Sequence, residues 1–80
     1  MRILYFSQAE NLAGCSEESW NGIAAPLSEA EFWEEAVRRH PALEAIRGIC
    51  RVARNEQFLS PGEHVRPGDE VAVLPPVSGG

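Results

Sequence analysis

Leu27-Ser28-Glu29-Ala30-Glu31-Phe32-Trp33-Glu34-Glu35-Ala36-Val37-Arg38-Arg39-His40-Pro41 is the stretch on which the reading of this chain turns. Ser28 and Glu31 form an S-x-x-E capping box, and Leu27 stands at the hydrophobic-staple position, so a helix is predicted to begin here. Ala30, Trp33, Val37 and His40 recur at helical spacing, with Phe32 and Ala36 widening the apolar stripe. Glu29, Glu31, Glu34 and Glu35 crowd the first half, and Arg38, Arg39 and His40 close the second. That order complements the helix dipole at both ends. Pro41 disfavours helical backbone at His40 and stops the element. In this position His40 reads as a cap and dipole partner rather than a ligand.

Upstream, residues 2–7 (Arg-Ile-Leu-Tyr-Phe-Ser) are β-branched and aromatic and read as a strand whose two faces both meet something. A short helix is predicted over Ala9–Ala13, with Gly14 as its stop. Glu17 to Ile23 reads as a second strand centred on Trp20, or as a turn at Asn21-Gly22. Downstream, Ala42–Arg47 is a second short helix ended by Gly48. Ile49–Ala53 is a strand, and Phe58-Leu59 a short apolar pair. Ser60-Pro61-Gly62 and Arg66-Pro67-Gly68-Asp69 are turn signals. Val71–Leu74 forms the last strand, stopped by Pro75-Pro76, which lack backbone donors. Strands at both ends of one dominant helix predict an α+β domain, with a sheet covered on one face by that helix.

Eighty residues form one domain, and a chain this short buries only about 60 % of its unfolded surface. The net charge is −5, from twelve acidic residues against seven basic ones, all of them arginine. Such a balance argues against nucleic acid, which rewards a basic patch. It suits a protein partner with a basic face, or solubility alone. Cys15 and Cys50 make neither a disulfide framework nor a metal-ligand spacing, so they read as free thiols in a reducing compartment. The first apolar run ends at Ser7-Gln8, too early for a secretory signal, and no stretch reaches the length of a membrane span. The cytoplasm is the expected location. Spacing reveals no Ser/His/Asp set and no paired catalytic carboxylates, so a domain acting alone as an enzyme is not expected; nor is a metal or a permanently bound cofactor. Trp20 and Trp33 read as core, His64 as a loop residue, and Arg51, Arg54 and Arg66 as solvated surface.

The chemistry is expected in the tail. Residues 1–74 read as the folded body and 75–80 as an extended arm: Pro75 and Pro76 stiffen it, Val77 and Ser78 follow, and Gly79-Gly80 give a tip without side chains. Six extended residues reach roughly 20 Å, enough to enter a narrow channel in another protein. A carboxylate at Gly80 is unreactive, but adenylation by ATP makes it a mixed anhydride. A sulfur nucleophile can then displace AMP and leave a thiocarboxylate, itself a strong nucleophile. The body offers a matching surface. In the last strand Val71 and Val73 share one face and Glu70, Ala72 and Leu74 the other. In the first, Ile3 and Tyr5 face the core if Arg2 faces water, which turns Leu4 and Phe6 outward. If those two strands are neighbours, Phe6 and Leu74, joined by Phe58, are expected to form an exposed apolar patch beside the tail, suited to docking unless a loop covers it.

Ile3-Leu4-Tyr5-Phe6-Ser7-Gln8 with Glu10-Asn11-Leu12-Ala13-Gly14, then Arg54-Asn55-Glu56, and above all Gly68-Asp69-Glu70-Val71-Ala72-Val73-Leu74-Pro75-Pro76-Val77-Ser78-Gly79-Gly80 resemble the small sulfur-carrier subunit of molybdopterin synthase. The resemblance runs from end to end and is poorest from Cys15 to Pro26. It implies a β-grasp, ubiquitin-like fold with first and last strands adjacent in the middle of the sheet. It implies a thiocarboxylate at Gly80, made by an ATP-consuming adenylyltransferase and a sulfur donor. The loaded tail would enter the large synthase subunit, within a heterotetramer, and pass sulfur to cyclic pyranopterin monophosphate. Sulfur carriers for thiamine or tRNA thiolation are a sister reading; a ubiquitin-like modifier and a plain interaction module are others.

Overall fold

The computed structural model describes residues 1–76. In chain order it contains β1 (Arg2–Tyr5), α1 (Gln8–Ala13), β2 (Glu17–Ser19), β3 (Leu27–Ser28), α2 (Glu29–Arg39), a 3-10 turn (Pro41–Ala45), β4 (Arg51–Arg54), β5 (Gln57–Phe58), β6 (His64–Val65) and β7 (Glu70–Leu74). The main sheet runs β2-β1-β7-β4-β5. Its centre is the parallel pair of β1 and β7, with Arg2 opposite Glu70 and Tyr5 opposite Val73. The flanking pairs are antiparallel. This is the mixed β-grasp sheet, with first and last strands adjacent and one main helix across one face.

Strand parity decides what that helix covers. Ile3, Tyr5, Val52, Val71 and Val73 project from one face and are buried. Phe32, Trp33 and Ala36 of α2 close over them, joined by Ala9, Trp20, Leu43 and Ile46. Each large side chain buried here contributes about 1.5–3 kcal/mol. The stripe of α2 that meets the core is therefore Phe32-Trp33-Ala36; Ala30 is exposed and Val37 only half-buried. The two aromatics carry the most apolar area, and Phe32 stacks on Trp20 at 5.0 Å between ring centres.

The capping box forms as the sequence predicts. The Glu31 N–H donates to Ser28 Oγ at 3.1 Å, and the Ser28 N–H donates to Glu31 Oε1 at 2.9 Å. His40 occupies the C-cap, but its ring does not serve the helix end; Nε2 lies 2.7 Å from Glu18 Oε2. The same oxygen accepts from the Tyr5 hydroxyl and from Trp20 Nε1. Buried Tyr and Trp need partners for their polar tips, and Glu18 supplies both. Burial alone would raise the Glu18 pKa, but these donors together hold it below the ordinary carboxylate range. For Tyr5, burial first and then the Glu18 bond push the phenol far up.

Four elements differ from expectation. β2 stops at Ser19, and Trp20 leaves the strand to enter the core. Pro41–Ala45 is a 3-10 turn rather than the start of an α-helix through Arg47. β4 starts at Arg51, leaving Ile49 58 % exposed. Leu27–Ser28 pairs with His64–Val65 as a separate two-stranded ladder, so His64 lies in a strand. Two-residue strands carry no period for a sequence reading to detect.

Candidate functional site

On the face of the sheet away from α2, the registers line up one row across four strands. Leu4 lies opposite Ala72, Ala72 opposite Ala53, and Ala53 opposite Phe58. Two alanines between larger side chains make a trough, because Cβ atoms on neighbouring strands stand only about 5 Å apart and a methyl group fills little of the space above them. The neighbouring row adds Leu74, aligned with Arg51, beside Phe6, whose N–H donates to Val73 O at 3.3 Å. The result is an open groove of about 330 Å³ lined by Leu4, Phe6, Ala53, Phe58, Ala72 and Leu74, with Glu56 and Glu70 as its charged lining. Phe6 is 45 % and Phe58 52 % exposed, a large apolar area for so small a chain.

Charge frames the groove. The Arg51 guanidinium sits 3.6 Å from the centre of the Phe58 ring, a cation–π contact that steadies an otherwise exposed aromatic. At the far end Arg2 bridges Glu17 at 2.9 Å and Glu70 at 3.0 Å. The hydrogen bond and charge of Arg2 lower the Glu17 pKa. Glu56 is held in the β4–β5 turn, where it and Asn55 have φ of 70° and 50°. Asn55 secures that turn to β7: its Nδ2 donates to Asp69 at 3.1 Å and its Oδ1 accepts from the Glu70 N–H at 3.0 Å.

β7 carries the chain out of the middle of the sheet at Leu74; Pro75 follows half-buried and Pro76 exposed. Pro75 and Pro76 thus follow β7 next to the Phe6–Leu74 end of the groove. The geometry is that of a small body with one apolar face and an exit strand beside it. Residues 3–80 match the ThiS family. The chain belongs to that family. As a ThiS-family chain it is 30 % identical to the molybdopterin synthase sulfur carrier subunit of Chlamydomonas reinhardtii, over all of this chain and 98 % of that one. It is 34 % identical to the protein of the same name from Anopheles gambiae, over all of this chain and 91 % of that one. Among solved structures, SAMP1 (small archaeal modifier protein 1) from Haloferax volcanii superposes with a TM-score of 0.81 at 28 % identity, covering 99 % of this chain and 97 % of that one.

In this ThiS-family chain the structure brings Phe6, Phe58 and Leu74 to one groove and sets Pro75 and Pro76 at its end. Val77, Ser78, Gly79 and Gly80 lie outside the described residues. Leu4, Ala53 and Ala72 join the site as floor and wall. Ala53 escaped the sequence reading because an alanine in Arg51-Val52-Ala53-Arg54 looks like filler; only the β4–β7 register shows that it lies beside Ala72. Arg51 and Arg54, read as solvated, are both engaged, Arg51 on Phe58 and Arg54 with Glu63 at 3.1 Å and the His64 carbonyl at 2.7 Å. Among the described residues no helix is long and apolar enough to cross a membrane.

Proposed function

We propose that this protein is the sulfur carrier subunit of a molybdopterin synthase, and that its groove docks the large subunit while the tail delivers sulfur. The observation that carries this reading is the end-to-end likeness to relatives named molybdopterin synthase sulfur carrier subunit, within a family match that reaches Gly80. In this reading the Gly80 carboxylate attacks ATP in an adenylating partner, releasing pyrophosphate and forming an acyl-adenylate. A sulfur donor then displaces AMP and leaves the thiocarboxylate. Docking of Phe6, Phe58 and Leu74 positions Pro75–Gly80 so that the tip enters the large subunit's pocket, where the sulfur attacks a carbon of cyclic pyranopterin monophosphate that gives up its oxygen. Water then cleaves the resulting thioester, leaving the sulfur on the substrate and a carboxylate at Gly80. The carrier contributes nucleophile and placement; the partner contributes acid, base and substrate binding. The acidic balance of the chain complements a basic mouth on that partner.

The test is the intact mass of the protein after incubation with an adenylyltransferase, ATP and a sulfur source. Replacement of one oxygen by sulfur, mapped to Gly80, is expected. An unchanged mass with an activating system shown to be competent overturns the carrier reading. A second reading rests on the likeness to a protein named as a modifier: attachment of Gly80 to target lysines through isopeptide bonds. Conjugates that survive denaturing gels and carry this chain would favour it. The absence of lysine in the chain means that such conjugates could not be chains built on its own side chains.

A further inference from the structure

On the opposite face of the sheet from the groove, three metal-ligating side chains from separate elements converge. Cys15 follows the left-handed Gly14 that closes α1, Glu18 sits in β2, and His40 ends α2. One ligand atom of each (the Cys15 sulfur, a Glu18 carboxylate oxygen and a His40 ring nitrogen) lies within 4.8 Å of the other two. The His40 and Glu18 side chains are 20 % and 23 % exposed, so an ion can enter from solvent. We propose that Cys15, Glu18 and His40 bind one divalent ion of the zinc class, with water as the fourth ligand.

The ligand geometry is close to what such an ion requires. Zinc takes sulfur at about 2.3 Å and nitrogen or oxygen at about 2.0–2.2 Å, which places tetrahedral ligands roughly 3.3–3.7 Å apart. The 2.7 Å gap between His40 Nε2 and Glu18 Oε2 has to open by about half an ångström, and the sulfur, within 4.8 Å of both partners, has to close by no more than about an ångström. The supporting contacts are already built. Tyr5 and Trp20 both donate to Glu18 Oε2, the kind of outer partner that orients a ligating carboxylate. All three groups meet Oε2, which leaves Oε1 outside that network. The His40 ring is fixed by its edge-on contact with Tyr5 at 5.7 Å. A thiol and an imidazole select zinc, cobalt or copper over magnesium and calcium, which prefer all-oxygen sites. On binding, the Cys15 thiol gives its proton to solvent, and the His40 ring exchanges its Nε2 contact with Glu18 for a bond to the ion, any proton on that nitrogen passing to Nδ1 or to solvent.

The full chain, reduced and free of chelator, is titrated with Co²⁺ and then with Zn²⁺. The expected result is a thiolate-to-cobalt charge-transfer band that Cys50→Ser retains and Cys15→Ser loses. His40→Gln is expected to weaken Co²⁺ binding by at least about tenfold. Zn²⁺ should displace the band, raise the thermal midpoint of the native chain, and slow alkylation of Cys15 but not of Cys50. The alkylation reading uses native protein and so decides the matter even where a variant fails to fold. No band, a band that depends on Cys50, or alkylation of Cys15 at the same rate with and without Zn²⁺ overturns the site. None of these measurements depends on sulfur transfer, so they stand or fall apart from the carrier reading.

Discussion

Ser7 joins β1 to α1 with φ 50° and ψ −128°, a backbone geometry that a side chain resists and glycine accepts. It follows Phe6, so the strain sits where an aromatic ring is turned out to solvent. Ser7→Gly is expected to stabilise the fold by about 0.5–1 kcal/mol after glycine's own entropic cost is subtracted. The urea midpoint reports it; no upward shift would mean that the serine backbone is relaxed. Ala72 poses the complementary case. Its methyl group is the floor of the trough between Leu4 and Phe58, and Ala72→Leu fills the trough with an equally apolar group. Affinity for the proposed large-subunit partner, measured by calorimetry, should fall by at least about tenfold, as for a blocked anchor pocket, with little change in the unfolding curve. Unchanged affinity would remove the trough from the docking surface. Parity along one strand was enough to turn Phe6 and Leu74 outward from sequence alone. The trough itself was not legible, because it depends on which alanine of β4 lies opposite which of β7.

α2 was the most legible element, and the reason is local. Its start is written in Ser28 and Glu31, three residues apart, whose reciprocal hydrogen bonds need nothing from the rest of the chain. Ser28→Ala removes one side of that exchange and is expected to cost about 1 kcal/mol, read from the denaturant midpoint at pH 7. A loss no larger than that of Ala30→Ser would show that the β3–β6 ladder, not the cap, holds the helix start. The end at His40 was legible as a cap, but the partner of its ring was not, for the opposite reason. Which group its ring meets is decided by β2, more than twenty residues away in sequence, and by the need of Tyr5 and Trp20 for an acceptor. Cys15, Glu18 and His40 likewise show no ligand spacing along the chain, yet α1, β2 and α2 bring them together.

For the whole molecule, charge sets an acid limit. Several carboxylates are held below their ordinary pKa: Glu17 by its bond to Arg2, Glu31 by the Ser28 N–H and hydroxyl, Glu35 by Arg38 and then Arg39, and Glu63 by the Ser60 N–H and by Arg54. A carboxyl whose folded pKa is depressed binds fewer protons folded than unfolded, so its contribution is full above the unfolded value of about 4.3 and fades as pH falls through the folded one. Stability is therefore expected to be level from pH 7 to about 5 and to drop below about 4.3. Urea midpoints at half-unit steps check this, and Glu35→Gln should flatten the fall. Steady stability down to pH 3 would show that these pairs are screened by solvent.

The parallel pairing of β1 with β7 sets Arg2 against Glu70. The middle of the sheet therefore cannot close until the Glu70–Leu74 stretch has been made. Pairing so distant in sequence closes slowly and late. A product cut short before Glu70 lacks the strand on which both halves of the sheet are assembled and has no route to the native state. Synthesis order thus couples folding to reach: a copy whose sheet has closed already holds Glu70–Leu74, the strand that leads on to Pro75 and Pro76.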